Sequence, residues 1–184
     1  MAILKVARMG HPVLRARARA IDPAVITSSR VQQLIDDMFE TMHEYQGVGL
    51  AAPQVHESVR LFVAGFAPTP DDEDDGEERT RVPGVPTMAL INPEITPLSQ
   101  ETVEDWEGCL SIPDLRGRVP RYKSVHVHAL DRRGKKLDFV AHDFHARVIQ
   151  HEFDHLNGKV YLDRMRDFTT LSFLQEFARY WMGK

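Results

Sequence analysis

Residues 150–156 read QHEFDHL, and this stretch constrains the fold more than any other in the chain. His151 and His155 stand four apart, with Glu152 directly after the first histidine. Both imidazoles reach one cation if the segment is an α-helix, where positions i and i+4 lie one above the other. Glu152 is then displaced around the helix, suited to handling an activated water rather than to binding the metal. Val148, Ile149 and Leu156 supply the apolar shell that a metal site needs. The pattern predicts a helix from about Phe144 to Asn157, with Gly158 as its stop. A helix whose histidines simply face solvent is the competing reading.

Two histidines do not complete a site, and the chain offers three routes to a third ligand. The extended pattern HExxHxxGxxH is matched as far as Gly158, but Tyr161 occupies the last histidine position. Glu176 is the one glutamate downstream of His155, and it sits in FLQEFARYW, whose apolar spacing already reads as packing. Cys109, in WEGCLSIP, is the third candidate. Thiolate and imidazole are both good ligands for zinc and for ferrous iron. Three protein ligands leave a fourth position for water, the arrangement of catalysis rather than structure. Cys109 is also the only cysteine, which excludes an internal disulfide and makes a reducing cytoplasm the natural home. A lone cysteine otherwise reads as a small buried apolar residue.

The rest of the chain reads as one α+β domain over residues 1–184. Residues 24–46 carry Val31, Leu34, Ile35, Met38, Met42 and Tyr45 at helical spacing, with N-caps at Thr27, Ser28 and Ser29 and a stop at Gly47. The glycine-rich GVGLAAPQV precedes a strand, VRLFVAGF. Residues 67–87, acidic and proline-rich, read as a surface loop inserted in the domain. MALINPEIT is a further strand, and SVHVHALD and KLDFVAHDF flank RRGK as a hairpin. His126 and His128 share its polar face and read as exposed strand residues. A last helix over DFTTLSFLQEFARYWMG sets Leu171, Leu174, Phe177, Ala178 and Trp181 on one stripe, expected to pack into the core. The architecture expected is short antiparallel strands around a central HExxH helix, with an early amphipathic helix and a C-terminal one. No apolar run is long enough to span a bilayer, so no membrane partner is expected. The net charge of −4 gives no reason for general or sequence-specific nucleic-acid binding.

Three stretches together resemble the peptide deformylases: Gly47–Gln54 (GVGLAAPQ), Glu107–Ser111 (EGCLS) and Gln150–His155 (QHEFDH), in the family's order. GHPVLR near the N-terminus and LNGKVYLDRM after the helix extend the likeness over most of the chain. The resemblance implies a metallohydrolase that removes the formyl group from the N-terminal formyl-methionine of nascent polypeptides, with the ribosome near the exit tunnel as a further candidate partner. It implies Cys109, His151 and His155 as metal ligands, and Glu152 as general acid/base for the water that attacks the formyl carbon. Gln54 and the backbone N–H of Leu110 match the groups that hold the developing oxyanion, each such donor contributing about 3 kcal/mol.

A methionine side chain needs an apolar pocket beside the metal. Val48, Leu110, Phe144 and Val148 are its candidate walls, and Gly49 fits a backbone passing close to substrate. Glu107, Asp154 and Arg121 are candidates for orienting the ligands, with Arg121 a partner for Asp154. Arg116 or Arg118 could contact the substrate backbone or a partner, with solvated arginines the favoured reading. His142, Asp143 and His145 depart from the family's pattern before the metal helix, and Asp143 stands where the family leads one to expect glycine. A Cys/His/His set accepts Fe(2+), Zn(2+), Ni(2+) or Co(2+), and the resemblance favours Fe(2+). Two alternatives stay open: an HExxH zinc endopeptidase with Glu176 as third ligand, and a non-catalytic metal-binding or ribosome-associated module.

Overall fold

The strand LFVAGF is apolar at every position but its glycine, the pattern of a strand covered on both faces. In the computed structural model, which describes residues 2–67 and 84–182, this segment is β2 (Leu61–Phe66), and helices cover both its faces. Five antiparallel strands form the larger sheet: β1 (Gly49–Ala51), β2, β3 (Val85–Pro97), β6 (Ser124–Leu130) and β7 (Lys136–His142), hydrogen-bonded in that order. Leu61 and Val63 turn toward α1 (Ser29–Glu44), meeting Ile35, Met38 and Met42. Phe62 and Ala64 turn the other way, toward Ala146, Ile149 and Leu156 of α2 (Asp143–Leu156). The period of two along one strand thus divides the core into two layers. The fold is α+β, as expected.

β4 (Thr102–Cys109) and β5 (Ile112–Tyr122) form a hairpin that a two-residue strand, β8 (Ser172–Phe173), extends to a second sheet. α3 (Leu174–Tyr180) follows directly. Cys109, Ile112, Val119, Val160 and Tyr161 make a separate small core beneath this sheet.

Several expected boundaries shift. α1 starts at Ser29 because Pro23–Val25 form a separate 3-10 turn and the Ser28 hydroxyl accepts the Val31 N–H. The residue that stops it in a left-handed conformation is Gln46, at φ 53°, rather than Gly47. The C-terminal helix is much shorter than its apolar stripe, because Ser172 and Phe173 pair with Arg116 and Leu115 of β5. Its stripe does not enter the core either: Phe177 and Trp181 pack on Trp106 of β4, and Leu174 faces a cleft. The acidic loop assigned to 67–87 falls for the most part outside the described residues, and its final part, Val85–Thr87, belongs to β3. No helix among the described residues is long and apolar enough to cross a membrane.

Gly158 ends α2 as expected, at φ +70°. A Cβ there would also lie 2.5 Å from the carbonyl oxygen of Arg15. The N-terminal segment passes close by, with Ala18 N–H donating to Leu156 O at 3.0 Å. Neither backbone gives way cheaply. Gly158→Ala is expected to cost about 2 kcal/mol, a fall in Tm of roughly 4–8 °C in thermal unfolding. An unchanged melting curve would show that the crossing adapts to a side chain.

Candidate active site

The helical spacing of His151 and His155 puts both rings on one side of α2, with centroids 5.1 Å apart. Facing them, β4 ends at Cys109, whose Sγ lies 3.3 Å from His155 Nε2. One donor atom from each of Cys109, His151 and His155 falls within 4.8 Å of the others. Glu176 is exposed on α3 and takes no part in this group, so the endopeptidase alternative loses its third ligand. Tyr161, which fills the histidine position of the longer pattern, instead stacks on His151 at 6.3 Å.

The donors suit a cation. His151 Nδ1 lies 2.9 Å from Glu107 Oε2, so that nitrogen keeps its proton, and a cation would displace the proton on Nε2. Burial alone would push the Cys109 thiol up, but positive charge on His155 and hydrogen bonds from both histidines hold it well below the ordinary thiol range. Burial likewise opposes charge on His151, yet Cys109 and Glu107 draw a proton to it. A thiolate and a carboxylate are therefore gathered where positive charge is demanded, and a divalent ion meets that demand. The S/N/N set fits iron, zinc, nickel or cobalt.

Glu107 is the hub of a buried ion network. Two apart on β4, Glu107 and Cys109 both turn toward α2, and the β4–β5 ladder shifts register between them. The Glu107 carboxylate takes Arg121 through both oxygens, at 2.8 and 3.0 Å, and Arg147 Nη1 at 2.8 Å. Arg121 continues to Asp154 Oδ2 at 2.6 Å, and Arg164 closes the chain on Asp154 Oδ1 at 2.5 Å. Although burial would push the Glu107 carboxyl up, Arg121 and His151 hold it far below the usual carboxylate range. The predicted pairing of Arg121 with Asp154 is present, and Glu107 joins it to His151. Arg147 and Arg164 were not foreseen. Arg147 sits four before His151 on the same face of α2, where only an unexplained charge in an apolar stripe marked it.

Glu152 is buried beside the cluster, and its Oε2 has no hydrogen-bond partner among the described residues. Burial pushes its carboxyl up to about 7, against the pull of His151 and His155 and with help from Cys109 and Glu107. A carboxyl poised near neutrality is suited to passing a proton in both directions. Gly49 of β1 lies against it: a Cβ there would be 2.5 Å from Glu152 Oε1. Gly49→Ala is therefore expected to displace the carboxylate and lower kcat by roughly 10–100-fold. Steady-state kinetics checks this, and wild-type kcat would contradict it.

Gln54 follows β1 in a 3-10 turn over Ala52–Val55. Its Oε1 accepts the Ala51 N–H at 2.8 Å, which turns the amide nitrogen toward Cys109 Sγ at 3.5 Å and Ser111 Oγ at 3.3 Å. Cys109 pairs with Ile112, so Leu110 and Ser111 make the two-residue turn between β4 and β5. The Gln54 amide thus lies beside the turn that carries the Leu110 N–H.

A cleft of about 380 Å³ opens over these groups. The four expected wall residues, Val48, Leu110, Phe144 and Val148, all line it, and so does Gly49. Trp106 and Leu174 add an apolar rim absent from the sequence reading. Arg116 also borders the cleft, with its guanidinium lying over Gly108. Arg118 is exposed. Asp143, at φ 48°, holds the left-handed conformation that a glycine would adopt without strain. His142 Nδ1 meets Ser124 Oγ at 2.8 Å, and His145 stacks on Phe139, so neither joins the cluster.

The family model for polypeptide deformylase matches residues 3–170. Peptide deformylase 2 of Pseudomonas syringae pv. tomato is 42% identical over 94% of this chain and 92% of its own length. Peptide deformylase 1 of Bordetella pertussis is 43% identical, over 95% and 92%. Among solved structures, a class I type b peptide deformylase from Acinetobacter baumannii bound to Met-Ala-Ser superposes with a TM-score of 0.80 at 38% identity, covering 89% of this chain and 99% of that one. Peptide deformylase from Thermotoga maritima gives 0.75 at 36% identity, over 91% and 100%. An α+β hydrolase fold, a Cys/His/His cluster and a buried glutamate on one helix meet here with whole-chain similarity. The chain belongs to the peptide deformylase family.

Proposed function

We propose that this enzyme hydrolyses the formamide of N-terminal formyl-methionyl polypeptides, with Cys109, His151 and His155 holding one divalent ion. The observation that carries the reading is the meeting of β4 and α2, which brings a thiolate, two imidazoles and an unpartnered buried carboxyl to one cleft. What the ion supplies when bound is acidification of a water, so that hydroxide is available near neutrality. Fe(2+) is the proposed native ion, on the family resemblance. Zn(2+), Ni(2+) and Co(2+) fit the same donors.

Glu152 accepts the proton of the attacking water and returns it to the departing amine. The Gln54 amide and the Leu110 N–H receive the oxyanion, the former already aimed by Ala51. Val48, Phe144, Val148 and Leu110 enclose the methionine side chain, and Gly49 leaves room for the substrate backbone beside Glu152. Glu107, with Arg121 and Asp154 behind it, orients His151. The Met-Ala-Ser bound to the Acinetobacter baumannii enzyme is the corresponding deformylated peptide, which supports a methionine-first substrate. Nascent chains in the cytoplasm, near the ribosomal exit tunnel, are the proposed source of that substrate.

The test is formate release from formyl-Met-Ala-Ser by protein loaded anaerobically with Fe(2+). Formate in step with peptide consumed, and no internal cleavage of longer peptides, is the expected result. Metal-loaded protein that yields no formate would overturn the reading.

A further inference from the structure

We propose that the larger sheet carries a second cation site, built by His126, His128 and Asp138 and suited to a divalent ion of the zinc class. Val125, Val127 and Ala129 of β6 point into the core layer shared with α2, so the intervening histidines point to the opposite face. The cluster therefore lies on the other side of the sheet from the Cys109 site. Neither the deformylation chemistry nor the core uses it.

The register assembles the donors. Asp138 of β7 stands directly across from His128, and His126 follows two residues along β6 on the same face. Asp138 Oδ1 lies 2.5 Å from His126 Nε2, and Oδ2 lies 3.3 Å from His128 Nδ1. The two rings are 4.2 Å apart between centroids. One ligand atom from each residue falls within 4.8 Å of the other two. From the other neighbouring strand, Glu94 of β3 is also in register with His128.

Two imidazoles and one carboxylate form a donor set for zinc, and also for nickel and copper. Magnesium and calcium, which favour oxygen ligands, suit it poorly. Paired strands hold the three side chains at fixed spacing, which limits the ordering cost of closing them around an ion. Their exposure leaves the fourth coordination position to water. With no ion, Asp138 hydrogen-bonds His126 and lies 3.3 Å from His128. An ion would take one ligand atom from each of the three residues in place of these contacts.

The experiment is equilibrium dialysis of the holoenzyme, catalytic ion in place, against micromolar Zn(2+), with metal counted per chain. Wild-type protein is expected to take up one zinc beyond its catalytic equivalent. His126→Ala/His128→Ala is expected to lose that zinc while formate release from formyl-Met-Ala-Ser stays at the wild-type rate, and Asp138→Asn to bind it more weakly. No added zinc in the wild type would overturn the proposal, leaving a histidine–aspartate surface pair. Equal uptake by the double variant would also overturn it, since the added ion would then lie elsewhere. Neither result depends on which substrate the catalytic site accepts.

Discussion

Glu152→Gln is expected to lower formate release by about 10³-fold or more while the bound metal stays at the wild-type level. The substitution keeps the shape of the side chain and removes its ability to take up a proton. Glu152 is not one of the three grouped donors, so the ion loses no ligand. Its buried Oε2 has no partner, so no structural hydrogen bond is lost there. The glutamine is expected to leave the fold little changed, because burial already holds the carboxyl it replaces near neutrality. Turnover by the variant within tenfold of wild type would move the proton-carrying role to another group.

Glu107→Ala is expected to have the largest effect on stability. This carboxylate, buried between β4 and α2, balances Arg121 and Arg147 and holds His151. Its removal leaves two guanidinium groups without their shared counter-charge in a region that water scarcely reaches. Breaking a buried ion pair from one side typically costs 3–5 kcal/mol, here a fall in Tm of about 10 °C or more. Metal affinity is expected to fall by roughly 10–100-fold as well, because His151 loses the acceptor that orients its ring. Thermal unfolding and metal titration read the two effects separately. A variant as stable as wild type would show that the arginines find other acceptors, such as the Val103 and Val119 carbonyls that Arg147 already uses.

The parts of this site that were legible in the sequence are those set by local periodicity. A helix places residues four apart on one side, so His151 and His155 implied a shared cation before any tertiary contact was known. The alternation of SVHVHAL correctly put His126 and His128 on one face. That they meet Asp138 depends on strand register, and the period of two does not supply register. Likewise, Gln54 could be named from the family's motif, but the direction of its amide depends on the Ala51 N–H. Arg147 and Arg164 were illegible because such an arginine is recognised by its partners, which for Arg147 lie on β4 and β5 and for Arg164 on α2. The C-terminal stripe misled for a related reason: its spacing fits an amphipathic helix, yet pairing with β5 claims Ser172 and Phe173 as strand. Tertiary pairing overrode a local pattern there.

The central claim is that Cys109 completes the metal site at which the formamide is cleaved. Its most direct test is metal content and formate release measured on the same anaerobic preparations of wild type and Cys109→Ala. Wild type is expected to hold one ion at the catalytic site and to release formate. The variant is expected to lose both the tightly held ion and turnover, while remaining folded. A Cys109→Ala protein that keeps the ion and deformylates at the wild-type rate would contradict the account.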